Sequence, residues 1–185
     1  LGFHPNFLIG NHGSEGLPGW EEKETEFTLL CANWEIQMRH LLHEPESGGI
    51  AIENKGTTLS IHYRSAPQQA KARALILKTI RNLTPAPRRV GGKCIVNLIP
   101  AEAPHKGTAM LHLMALSGLS KGFYAGDDVT DEEVFRLDDD HLFTVRVGGS
   151  RTSHARFSLR EYEDMTVLLK AIVSILTKIK NAPPT

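Results

Sequence analysis

The stretch GFYAGDDVTDEEVF at residues 122–135 constrains this chain more than any other. An apolar run, Phe123, Tyr124 and Ala125, stops at Gly126 and gives way at once to Asp127 and Asp128, then to Thr130, Asp131, Glu132 and Glu133. That pattern describes a short strand that ends in carboxylates and turns into a helix. Thr130 and Glu133 have the spacing of a capping box, which predicts a helix starting there with its free N–H groups turned back toward the strand end. In open α/β sheets the crevice at that end is where ligands bind.

Two adjacent carboxylates at such a place suit a hard, oxygen-preferring cation such as Mg²⁺, which is held by one or two carboxylates, waters and substrate phosphate oxygens. Capping and the helix macrodipole account for Asp131, Glu132 and Glu133 without any ligand. They do not account for Asp127 and Asp128, which precede the helix and repel each other. A metal or phosphate role is expected for both.

The segment GDDVTDEEVF resembles the fourth motif of trehalose-6-phosphate phosphatases, members of the haloacid dehalogenase-like superfamily. Four other segments resemble that family in the same order: LIGNHGSE at 8–15, ENKGTTLSIHYR at 53–64, GKCIVNLIP at 92–100 and HKGTAMLHLM at 105–114. The resemblance implies an α/β, Rossmann-like core with an inserted α+β cap domain. It also implies Mg²⁺-dependent hydrolysis of trehalose 6-phosphate through an aspartyl-phosphate. Asp127 would ligate the metal, Asp128 would hold a metal-bound water or the lysine, and Lys106 would neutralise phosphate. Glu53 and Lys55 fall at the family's Glu-x-Lys-Gly positions, associated with the disaccharide hydroxyls. His12 and Glu15 lie in the HG segment, where they touch substrate or order the loop. Arg64 is structural or faces the phosphate.

Two departures accompany these matches. The family's Asp-x-Asp-Gly-Thr strand, bearing the nucleophile and the general acid/base, is not found in the sequence, nor is the Ser- or Thr-bearing second motif. The expectation is a core that is N-terminally incomplete, with a missing segment or a synthase fusion partner carrying the remainder. Asn97 stands where a glutamate is common. An amide still bonds to a sugar, but the substrate need not be trehalose 6-phosphate.

Composition adds bounds. The 185 residues suffice for one sizeable core or two small lobes, and 21 basic against 21 acidic residues give no electrostatic case for nucleic acid or an acidic membrane. No apolar run approaches the length of a membrane span. Cys31 and Cys94 stand outside any CxxC or Cys/His cluster, so buried thiols and a cytoplasmic, reducing location are expected.

In chain order, residues 6–10 look like a strand leaving through a turn at 11–14, and 16–19 like a linker. Phe27, Leu30, Trp34, Met38 and Leu41 share one face of a helix over 26–43, which stops before a turn at 45–49. Strands are expected at 50–53 and 57–63, a helix over 66–81 with Ala70, Leu75, Leu77 and Ile80 inside, and strands at 88–90 and 94–99 around a Gly91-Gly92 turn. The segment 20–99 thus reads as the α+β cap, with 1–19 and 100–185 as the core. After a helix from His105 and the strand at 122–126 come an acidic, solvated run at 138–140, a strand at 142–147 and the loop 148–150. A closing helix over 161–179 places its apolar stripe on the core, and 181–185 should fray.

The preferred reading is a trehalose-6-phosphate phosphatase. A phosphatase for another sugar phosphate, such as a glycosyl-glycerate phosphate, and a non-catalytic sugar-phosphate-binding or regulatory module are the alternatives.

Overall fold

The structure, a computed structural model, describes residues 4–42, 48–137, 139–149 and 152–181. Most of the expected turn at 45–49, Asp138 of the acidic run, Ser150 and the tail at 182–185 lie outside the described residues. The chain forms two compact units, Leu1–His105 and Lys106–Thr185.

In the first unit, α1 (Glu21–Leu41), β1 (Ala51–Asn54), β2 (Leu59–His62), α2 (Gln69–Ile80), β3 (Arg88–Gly92) and β4 (Ile95–Ile99) follow one another. The strands make an antiparallel sheet in the order β1-β2-β4-β3. Helix α1 begins earlier than its apolar spacing implies, because Glu21, Glu22 and Glu24 give it an acidic first turn that complements the macrodipole. It buries Phe27, Cys31, Trp34 and Met38. One sheet face, carrying Leu59, Ile61, Val96 and Leu98, packs with Cys31, Trp34 and Met38 of α1 and Ala72, Ile76 and Ile80 of α2. The Trp34 indole donates to the Pro85 carbonyl at 2.7 Å, so its polar edge is satisfied inside that core. Burial pushes the Cys31 thiol up to about 12, in line with an inert core thiol.

Three expectations are corrected here. Residues 6–10 do not form a strand; Gly10 and Glu15 make only an isolated bridge around a 3-10 turn at Asn11–Gly13, and Leu8 is exposed. The inner face of α2 is Ala72, Ile76, Thr79 and Ile80, with Ala70 exposed and Leu75 and Leu77 half-buried. Gly91 and Gly92 lie within β3, and the hairpin turns instead at Lys93 and Cys94, where Cys94 takes a left-handed φ of 60°.

The second unit contains α3 (Lys106–Leu116), β5 (Gly122–Gly126), α4 (Glu132–Phe135), β6 (Leu142–Val147), β7 (Phe157–Leu159) and α5 (Asp164–Lys180). Its strands are parallel and ordered β5-β6-β7. Strand β7 was not anticipated, being only three residues long. Val134, Phe135 and Leu142 form the small core, with Met110 and Met114 of α3 against it. Phe123, Phe143 and Phe157 stack across the three strands on an exposed face, with centroids 5.9 and 4.4 Å apart. The stripe of α5 is not buried as expected. Met165, Leu168 and Ile172 are half-covered, whereas Leu169, Ile175, Leu176 and Ile179 are exposed.

Candidate active site

In the second unit the chemistry collects where β5 ends. Asp128 takes extended dihedrals and forms a reciprocal capping box with Asp131, opening a 3-10 turn at Val129–Asp131 that leads into α4. The box therefore sits two residues before the expected Thr130–Glu133 pair, because aspartate caps as well as threonine and Asp131 stands at the third position beyond Asp128. Thr130 is buried, donating to Asp128 Oδ2 at 3.3 Å, and the Glu133 carboxylate accepts from the Lys106 N–H at 3.3 Å. Glu133 thus places a negative charge at the start of α3, which offsets the cost of a lysine there.

Asp131 is the hub of this end. It is 3% exposed, and its Oδ1 accepts from Lys106 Nζ and from the Tyr124 hydroxyl, both at 2.7 Å. Its Oδ2 accepts from the Asp128 N–H at 2.8 Å. Burial pushes its carboxyl up, but the Lys106 ammonium, the Asp128 N–H and the Tyr124 hydroxyl outweigh that and hold it below its ordinary value. Burial first, and then the Asp131 charge, push the Tyr124 phenol up. Lys106 is therefore paired with Asp131 and not with Asp128. A Cβ at Gly126 would lie 2.3 Å from Asp131 Cγ, so the carboxylate occupies the space a side chain there would need.

Asp127 is exposed, with the Tyr162 hydroxyl 3.4 Å from its Oδ2. Among the described residues no group of three His, Cys, Asp or Glu side chains gathers around a common point. One exposed carboxylate beside a strand end fits Mg²⁺, which keeps several waters and takes few protein ligands. Arg146, opposite Gly126 on β6, donates to the Asp128 carbonyl at 2.8 Å, while its Nε is buried and unpartnered. Glu132 is buried under α4, where it accepts from the His154 N–H at 2.9 Å and ties the segment before β7 to the helix.

The first unit holds the other predicted residues. Asn11 and His12 have left-handed φ of 44° and 63°, conformations that asparagine tolerates better than most residues. The Asn11 amide donates to Glu15 Oε2 at 2.8 Å, to the Lys55 carbonyl at 2.7 Å and to Thr57 Oγ1 at 3.3 Å. This fastens the HG loop to the β1–β2 turn, so Glu15 and Lys55 are brought together through Asn11. Replacing Asn11 by alanine is expected to release the loop at a cost of about 1–2 kcal/mol. Hydrogen exchange at the Gly10 N–H, which bonds the Glu15 carbonyl at 2.9 Å, should then quicken about tenfold. Unchanged protection would show that backbone bonds alone hold it.

Glu53 Oε2 accepts from His62 Nε2 at 2.8 Å and lies 3.5 Å from Lys55 Nζ. The His62 bond, more than any other contact, holds the Glu53 carboxyl below its ordinary value. Asn97 is buried, and its Oδ1 accepts from Ser60 Oγ at 2.7 Å. Arg64 is exposed in the turn after β2, where its carbonyl accepts from Gln69. Sequence reasoning missed Asp131, Tyr124, Asn11, Ser60 and His62 as members of these groups. Only Asp131 carried a signal, its place three residues after Asp128.

The trehalose-phosphatase family matches residues 5–162. The chain is 29% identical over 180 residues to a bifunctional trehalose-6-phosphate synthase/phosphatase of Thermoproteus tenax, covering 93% of this chain and 24% of that protein. It is 34% identical over 128 residues to a probable trehalose-phosphate phosphatase of Sinorhizobium fredii, covering 68% of this chain and 43% of the relative. A trehalose-6-phosphate phosphatase of Escherichia coli is 33% identical over 91 residues, 48% of this chain and 34% of its own length. The chain thus spans less than half the length of these curated relatives. In structure it resembles a trehalose-6-phosphate phosphatase related protein, with a TM-score of 0.59 at 24% identity over 90% of this chain and 71% of that one. The sucrose-phosphatase of Synechocystis gives 0.58 at 16% identity over 93% and 75%. These likenesses establish a haloacid dehalogenase-like α/β fold. With the family matched along most of its length, the chain belongs to the trehalose-phosphatases.

Proposed function

We propose that this chain takes part in the hydrolysis of trehalose 6-phosphate to trehalose and phosphate, with residues 20–99 serving as the cap and 1–19 and 100–185 as core. The observation that carries the reading is the paired Lys106 ammonium, held 2.7 Å from the buried Asp131 at the carboxylate-bearing end of a parallel strand. A phosphoryl group placed there would meet a fixed cation beside Asp127 and Asp128. Preorganised charge of that kind costs no rearrangement when negative charge develops.

Asp127 is the residue that would hold Mg²⁺, and the metal would supply charge neutralisation of the phosphoryl oxygens. Asp128 fixes the turn through its bond from the Val129 N–H at 2.7 Å and keeps Asp127 at the rim. Lys106 would bind a phosphate oxygen while remaining anchored on Asp131. Glu53, Lys55, Asn97 and Arg64, with the His12 and Glu15 loop, would take the sugar. The attacking carboxylate is the one component for which these 185 residues offer no Asp-x-Asp-Gly-Thr candidate. The partner chemistry is that of a sugar phosphate, and a synthase domain is a fitting neighbour, as in the Thermoproteus tenax relative's name.

Calorimetric titration with trehalose 6-phosphate tests the reading. Affinity should fall about tenfold when EDTA replaces Mg²⁺, Asp127→Asn should reproduce that fall, and Lys106→Ala should weaken the phosphate ester but not free trehalose. Metal-independent binding, or equal losses for the ester and the free sugar, would overturn it. Phosphate release in the same mixture would identify the enzyme, and saturable binding without release the binding module.

A further inference from the structure

In the first unit's sheet, the face turned away from the helices is covered on its β3 side, where Ser60 and Asn97 are buried and Val90 and Ile99 pack with Phe27 and Ala103. Toward the edge strand β1 the cover ends, and Ala51 and Glu53 are exposed. Ser60 and His62 alternate with Leu59 and Ile61, which pack with the helices, and the register sets Glu53 opposite Ser60. His62 is thus the diagonal neighbour of Glu53, within reach of a long side chain. Its Nε2 lies 2.8 Å from Glu53 Oε2, and because a carboxylate only accepts, the ring hydrogen belongs on Nε2.

Lys55 Nζ stands 3.5 Å from the same oxygen, so both supports converge on Oε2. Oε1 takes no hydrogen bond among the described residues and keeps its lone pairs for a ligand. A glutamate at a sheet edge otherwise turns freely about its side-chain bonds, and a ligand has to stop that motion when it binds. We infer that His62 is a positioning residue: it fixes Glu53 by Oε2, so that Oε1 is presented, already aimed, to a sugar hydroxyl. The inference rests on the sugar-phosphate reading above and adds His62 to the groups that decide how tightly the sugar half is held. The His62 and Glu53 side chains are 39% and 52% exposed, and exposed pairs of this kind contribute little to folding. A purely structural role would therefore leave a small trace in stability and none in sugar affinity.

The test is titration calorimetry of the full chain in Mg²⁺ with trehalose and with trehalose 6-phosphate. Glu53→Gln should weaken both ligands about tenfold and His62→Leu about fivefold, each by the same factor for the two ligands because the phosphate end is untouched. The urea midpoint of His62→Leu should stay close to that of the wild type. His62→Gln, whose amide NH₂ reaches as Nε2 does, should recover affinity to within about twofold of the wild type. In a Glu53→Gln background His62→Leu should cost nothing further, since the two residues act through one carboxylate. If Glu53→Gln weakens binding while His62→Leu leaves it unchanged, if His62→Leu costs as much with Glu53 replaced as with it present, or if His62→Gln recovers nothing, the inference is overturned and the broader reading stands. Undiminished affinity in Glu53→Gln would overturn the sugar role of Glu53 and this inference with it, and a wild type that binds neither ligand would overturn the whole sugar-phosphate reading.

Discussion

Replacing Asp131 by asparagine is expected to cost the second unit about 3 kcal/mol, because it removes the charge that the half-buried Lys106 ammonium faces and sets an NH₂ donor against donors. The carboxylate accepts from Lys106, Tyr124 and the Asp128 N–H at once, so no single replacement partner exists among the described residues. Urea unfolding followed by fluorescence measures the loss, and a cost below about 1 kcal/mol would mean that water replaces the carboxylate freely. The same variant should change the acid limb. Asp131 titrates below its ordinary 3.8 when folded, so its contribution is present above that pH and drains away as pH falls through the lower, folded value. The wild type should therefore lose stability relative to Asp131→Asn below about pH 4, and the gap between the two should narrow there. A gap that stays constant with pH would show that the pair contributes no linked protons.

Trp34→Ala has the other large expected effect, about 3–5 kcal/mol for an indole with no exposed surface. Part of that loss is volume, since Trp34 packs with Cys31 and Met38 of its own helix and with residues of α2 and the sheet. Part is the orphaned Pro85 carbonyl, which now accepts from the indole N–H. Trp34→Phe separates the two, keeping most of the volume and losing the bond, and should cost about 1–2 kcal/mol more than packing alone. Gln37 holds the neighbouring Thr84 from the same helix by two bonds, at 2.8 and 3.1 Å, so the 84–85 loop should stay attached in Trp34→Phe. Heat or denaturant unfolding of the three proteins distinguishes these terms.

What could be read from the sequence followed how local its causes were. Helix α1, strand β6 and the alternation of Leu59 and Ile61 depend on periodicity within one element, and all three stand close to where they were expected. The inner face of α2 depends on which helix turn meets the sheet, and so the face drawn from a list of apolar residues included the exposed Ala70. The α5 stripe shows the limit of amphipathicity, which identifies a surface that can be buried but not what covers it. At the site, the Gly-Asp-Asp pattern located the strand end because residue type and spacing carry that message. Pairing of Lys106 with Asp131 spans twenty-five positions and was hidden by a sufficient local explanation, helix capping, which Asp131 also satisfies. Ser60 escaped notice for a different reason: a serine in a strand has no distinguishing pattern, and its meaning arises only from the register that sets it beside Asn97.

The contact between Gly126 and Asp131 bears on how this segment can change over generations. Since a methyl group at 126 would run into the Asp131 carboxylate, an alanine there forces that side chain to shift, and a shifted carboxylate loosens its hold on Lys106. A substitution at any one of the three positions is therefore expected to disturb the other two.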